Sequence, residues 1–79
     1  MQKWEYLTVQ LGNFGGGNFQ VAPRFVNGQE LRDWKKLSLS GLVKQLGEDG
    51  WEMTGTISVV NTFEHYIFFK RPKPKKLDL

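Results

Sequence analysis

Only one stretch of this chain, SLSGLVKQLGEDG (residues 38–50), carries its apolar residues at helical spacing, while the longer apolar segments around it alternate with period two. Leu39, Leu42, Val43 and Leu46 fall at i, i+3, i+4 and i+7, a single stripe on one helical face. A lone amphipathic helix among strands buries its stripe on a sheet, and the expected class is therefore α+β. Ser38 is placed to be the N-cap, with Leu37 and Leu42 in the two positions of a hydrophobic staple. At the other end, in LGEDGWEM, Gly50 reads as the left-handed residue that closes the helix. Leu46 and Trp51 then occupy the two positions that touch in a Schellman ending. Gly47 costs about 1 kcal/mol against Ala inside a helix, which predicts close approach of the Trp51 indole or the sheet at that point.

KWEYLTVQL (3–11) alternates Leu7, Val9 and Leu11 with Trp4, Tyr6 and Thr8, as a strand does. WEMTGTISVV (51–60) sets Trp51, Met53, Ile57 and Val59 against Glu52, Thr54, Thr56 and Ser58, and FEHYIFFKR (63–71) reads as the last strand. A two-residue loop at Asn61-Thr62 would oppose Ile57 to Tyr66 and Met53 to Lys70, mixing faces. A three-residue loop, 60–62, pairs Val59 with Phe63, Ile57 with His65, Gly55 with Ile67 and Met53 with Phe69, and is the expected register because it gathers the aliphatics on one face. In RFVNGQEL (24–31), Asn27-Gly28 predicts a type I′ turn and a short hairpin, with Pro23 before it or at its edge. RDWKKL (32–37) is a polar connection anchored by Trp34. GNFGGGN (12–18) matches neither the dinucleotide G-x-G-x-x-G nor the Lys-bearing P-loop, and reads as a flexible loop tip.

The architecture expected from these elements is an antiparallel sheet of three main strands plus a short hairpin, with one helix packed on one face, in the order β-β-β-α-β-β. The first strand should pair with the last. A single α+β domain should span 1–72, followed by a disordered basic tail over 73–79, since Lys-Pro alternation neither pairs nor packs.

At 79 residues such a domain is near the size where a lone core becomes marginal, and with no Cys it has no disulfide or thiolate metal site to add stability. Three Trp, two Tyr and six Phe supply large burial per residue instead. The net charge of +3 is concentrated at one end: Lys70, Arg71, Lys73, Lys75 and Lys76 are five of the eleven basic residues. The body is close to neutral. MQKWEYLTVQL has neither an apolar signal core nor a small-residue cleavage site, and no run is long enough for a membrane helix; a cytoplasmic protein with no membrane partner is expected.

KWEYLTVQL, LVKQLGEDGWEM and IFFKRPK together resemble a small bacterial family of unknown function. Its members open on W-E-Y, carry L-G-x-x-G-W-E behind a helix, and close on a K-R-P strand end. Met53 stands where members usually carry Leu, a volume-conserving exchange. The resemblance implies a β-α-β-β core and carries over no catalytic or binding residue.

Catalysis needs convergent polar groups. The chain offers one His, no Cys, and carboxylates scattered over Glu5, Glu30, Asp33, Glu48, Asp49, Glu52, Glu64 and Asp78. His65 lies on a strand with no second ligand or partner at a recognisable spacing, and Glu48 and Asp49 close a helix where solvent exposure is the ordinary explanation. No catalytic, cofactor-binding or metal residue is assigned, and a non-enzymatic protein is expected.

One feature demands a binding explanation. With Leu7, Val9, Met53, Ile57, Val59, Ile67 and Phe69 toward the helix, Trp4, Tyr6, Tyr66 and Phe68 face away as an aromatic patch that needs a cover. Residues 19–34, with Phe19, Val21, Phe25, Leu31 and Trp34, offer one cover. A second copy packed sheet on sheet, as a homodimer, offers another. Stacked bases offer a third, with Lys70, Arg71, Lys73, Lys75 and Lys76 as phosphate contacts. They rank in that order, because no Lys or Arg interleaves with the aromatics of the first strand. The expected function is an interaction module acting by self-association or by docking on a protein partner; the alternative is a weak single-stranded nucleic-acid-binding module.

Overall fold

The computed structural model describes residues 1–15, 20–61 and 64–74. One antiparallel sheet is built from β1 (Trp4–Phe14), β2 (Gln20–Val26), β3 (Gln29–Glu30), β4 (Glu52–Val59) and β5 (Glu64–Pro72), with α1 (Leu39–Glu48) on one face. The spatial order is β3-β2-β1-β5-β4, and β1 pairs with the last strand as expected. A 3-10 turn at Trp34–Lys36 separates β3 from α1.

The helix ends are those read from the sequence. Ser38 Oγ accepts a hydrogen bond from the Gly41 N–H at 3.2 Å. At the far end the Trp51 N–H donates to the Leu46 carbonyl at 2.9 Å and the Gly50 N–H to the Gly47 carbonyl at 3.1 Å, the two bonds of a Schellman motif. Gly50 has φ +90°. Gly47 differs from expectation: nothing lies within 4 Å of where its Cβ would stand, so neither indole nor sheet approaches it. The two glycines therefore predict opposite outcomes. Gly50→Ala should lower stability by about 1–2 kcal/mol through positive φ alone, and Gly47→Ala should raise it by up to about 1 kcal/mol. Thermal unfolding of both variants checks the sign of each.

The helix stripe closes over a small core of Leu7, Val9, Leu46, Ile67 and Phe69, flanked by Leu11, Val26, Leu39, Leu42, Val43 and Trp51. Arg71 fastens the end of α1 to the sheet. Its guanidinium donates to the Asp49 carbonyl at 2.9 Å, pairs with Glu5 across the β1–β5 ladder, and lies 4.3 Å from the centre of the Trp51 ring. A cation at the exposed carbonyls of a helix C-terminus is favourable.

Three further features differ from the sequence reading. The hairpin is longer: Asn27 (φ 50°) and Gly28 (φ 81°) make the expected turn with both φ positive, but β2 runs back to Gln20 and pairs with β1 as far as Phe14. Gly12 to Phe14 are thus strand rather than loop; the remainder of the glycine stretch, 16–18, lies outside the described residues. Pro23 stands inside β2 opposite Leu11, next to a bulge at Arg24 that interrupts the ladder where a proline lacks its N–H. Asn27 also binds β1 directly: its N–H donates to the Thr8 carbonyl at 2.8 Å and its Oδ1 accepts from the Thr8 N–H at 2.9 Å.

The β4–β5 register is the second difference. Met53 does face Phe69, but Gly55 faces Phe68, Ile57 faces Tyr66 and Val59 faces Glu64, with a bulge between Met53 and Gly55. The extra residue, Thr54, shifts the phase of the strand by one, and its Oγ1 donates to the Phe68 carbonyl at 3.2 Å. Ile57 and Val59 consequently leave the helix side. Third, Lys73, expected in a free tail, donates its N–H to the Lys3 carbonyl at 2.8 Å. Lys75 to Leu79 lie outside the described residues. Among the described residues no helix is long and apolar enough to cross a membrane.

Candidate interaction surface

Pleating assigns the outer face residue by residue, because directly opposite residues share a side. β1 contributes Trp4, Tyr6, Thr8 and Gln10, and β5 contributes Glu64, Tyr66, Phe68 and Lys70. The bulge adds Ile57 and Val59 from β4. Tyr6 is 67% exposed, Ile57 52%, Trp4 40% and Val59 38%, so they stand open among the described residues. Tyr66 and Phe68 are half-buried and stacked on each other, ring centres 6.5 Å apart at 18°. Lys70 Nζ lies 4.3 Å from the Trp4 ring centre, a cation–π contact at the rim.

The four aromatics picked out by alternation are therefore brought together on one face. The expected cover from 19–34 reaches only its far end. A Cβ on Gly12 would stand 2.7 Å from Trp34 Cζ3, which puts the indole on the side of β1 that Thr8 and Gln10 also occupy. Trp34 meets Phe14 edge-on at 5.5 Å and 89°, with the Arg24 guanidinium 5.0 Å from its ring centre. Arg24 in turn pairs with Glu30 at 2.9 Å. Phe25 is half-buried opposite Gln10, Val21 is exposed, and Phe19 lies outside the described residues.

The basic residues separate. Lys70 belongs to the outer face, whereas Arg71 points to the helix side and is engaged by Glu5, Trp51 and the Asp49 carbonyl, so it is not a contact for anything bound outside. Lys73 joins the β1 end through its backbone; Lys75 and Lys76 lie outside the described residues.

The Tyr66 hydroxyl donates to Glu64 Oε2 at 2.8 Å. This bond raises the phenol above its ordinary value of 10.0, with desolvation and the nearby carboxylate charge acting in the same direction. A phenol held protonated by folding contributes stability below the ordinary tyrosine range and loses it as pH climbs through the raised value. Spectrophotometric titration should show one tyrosine ionising late, and Glu64→Gln should bring it back toward the ordinary range.

His65 Nδ1 lies 2.9 Å from Ser58 Oγ, a cross-strand pair in direct register. Among the described residues no group of three or more His, Cys, Asp or Glu is placed to hold a metal ion. The outer face is apolar and partly aromatic, rimmed by Lys70 and Glu64.

The signal for Ile57 and Val59 was present in the sequence as Gly55, since an isolated glycine inside a strand pattern marks a bulge. Compared with protein-family models, curated proteins and solved structures, the chain matches none.

Proposed function

We infer that this domain is a non-enzymatic protein-interaction module whose contact surface is the outer sheet face: Trp4, Tyr6, Tyr66 and Phe68, extended by Ile57 and Val59. The observation that carries this is the exposure of Tyr6, Ile57, Trp4 and Val59 together on the side that α1 leaves open. Contiguous apolar surface of this kind on a small domain marks a binding site, and aromatics are the residues that anchor such sites. The module works by self-association or by docking on another protein.

A second reading is favoured by one contact. Lys70 beside Trp4 places positive charge next to stacking surface, as a weak single-stranded nucleic-acid binder requires. Against it, Arg71 is engaged on the other face, and phosphate contacts supply most non-specific affinity.

Titration with labelled oligonucleotides at low and physiological salt separates the two. Binding that survives physiological salt, persists without residues 73–79 and disappears in Tyr66→Ala overturns the protein-interaction reading. For that reading, Trp4→Ser with Tyr6→Ser should leave folding intact while abolishing retention of specific proteins from a lysate or weakening self-association. If the double variant changes neither, the outer face is not the contact surface.

A further inference from the structure

Among the described residues β4 is an edge of the sheet, and a strand is the natural occupant of an edge, because the backbone N–H and C=O groups of alternate residues point outward without a partner strand. The other edge, β3, is two residues long and adjoins the Arg24–Glu30 ion pair. β4 is eight residues long and exposed throughout. From Met53 to Val60 the sequence MTGTISVV contains no charge and no proline. Its Thr, Ile and Val favour extended pairing, and the Thr54 bulge disturbs only the end next to Glu52. Charged side chains, proline and short length are the devices that keep natural edges apart, and the Gly55–Val60 portion has none of them.

We propose that β4 joins two copies of this chain, antiparallel and edge to edge, so that the two five-stranded sheets become one. This goes beyond the interaction-module reading: self-association is placed at the β4 edge, and the outer face is left for docking other proteins. A twofold axis normal to the sheet makes strand pairing antiparallel, uses the same residues on both sides, and keeps the two outer faces on one side. Self-pairing ordinarily sets like charges against each other. Here the nearest charge, Glu52, lies at opposite ends of the joint in the two copies. Centred on Thr56, the register stands Ile57 of one copy beside Gly55 of the other, filling the space where Gly55 has no side chain. The outer patches of Ile57, Tyr66 and Phe68 then run on across the joint. With seven hydrophobic side chains buried among the described residues and no disulfide, the small core also fits a domain that gains order from a partner.

The chain should sediment at twice its 9.1 kDa mass, and the outward-facing β4 amides should exchange faster on dilution. Thr56 is exposed on the helix-side face of the edge, away from the aromatic patch. Thr56→Lys should weaken association about tenfold or more by opposing two cations, while its far-ultraviolet spectrum stays unchanged. Tyr6→Ser, remote from the edge, should leave the dimer intact. A monomeric chain whose β4 amides do not respond to dilution overturns the proposal without touching the outer face as a docking surface for other proteins. A dimer that Tyr6→Ser dissociates, or one whose mass and β4 exchange Thr56→Lys leaves unaltered, overturns it in favour of face-to-face packing. A mass that grows beyond two copies also overturns it, since an isologous edge closes on itself.

Discussion

Phe69→Ala should cost about 3–5 kcal/mol, the range for truncating a buried aromatic. Phe69 is 2% exposed and stands mid-sheet, with Leu7 opposite on β1, Met53 opposite on β4 and Leu46 of the helix in the same cluster. A domain of this length is stable by about 4–12 kcal/mol in all, so the loss removes about a quarter of the total or more. Its neighbour provides the control. Phe68 belongs to the outer face and is half-buried, and Phe68→Ala should cost clearly less. Urea unfolding of the two variants measures the difference. Equal costs would show that the sheet does not have one packed and one open face.

Trp34→Ala should be comparably severe, again about 3–5 kcal/mol, because the indole is the main cover over the β1–β2 end of the outer face. Gly12 allows the ring to lie directly on the strand. A Cβ there would stand 2.7 Å and 2.8 Å from two indole carbons and 2.8 Å from Arg24 Cδ. Arg24 can swing outward, being half-exposed, but the indole is held by Phe14 edge-on and by Arg24 and Lys35 over its faces. Gly12→Ala should therefore cost about 1–3 kcal/mol by overpacking. In a Trp34→Ala background the same change should cost almost nothing, since the clash is gone. Chemical unfolding of the two single variants and the double closes the cycle, and additivity would show that the two residues do not meet.

What was legible in the sequence was local. Ser38, the Leu39–Leu46 stripe, Gly50 and Trp51 lie within fourteen residues and name each other's positions, and Asn27-Gly28 specifies its turn alone. The pairing of β1 with β5 followed from topology, and Trp4, Tyr6, Tyr66 and Phe68 from simple alternation. The misread parts depend on contacts distant in the chain. Gly12 looks like a loop residue until Trp34, far along the sequence, is seen to need the space above it. Ile57 and Val59 were assigned to the wrong face because a single register was carried through the Thr54 bulge. Arg71 was read with the basic tail, although it shares the parity of Ile67 and Phe69 on β5 and so had to face the helix.

The central place of β1 has a consequence for how the molecule comes into being. Its partner on one side, β2, follows within a hairpin, but its partner on the other, β5, is the last strand of the domain to leave the ribosome. Until Ile67 and Phe69 emerge, Leu7, Val9 and the stripe of α1 have no third wall to close against. The domain should fold only after its synthesis is nearly complete, in a step slowed by the long chain that must be gathered. A nascent chain from which β4 but not β5 has emerged would hold out a bare β1 flank and the uncharged Met53–Val59 stretch of β4 without its partner strand, both ready to pair with the same segments of a neighbouring nascent chain.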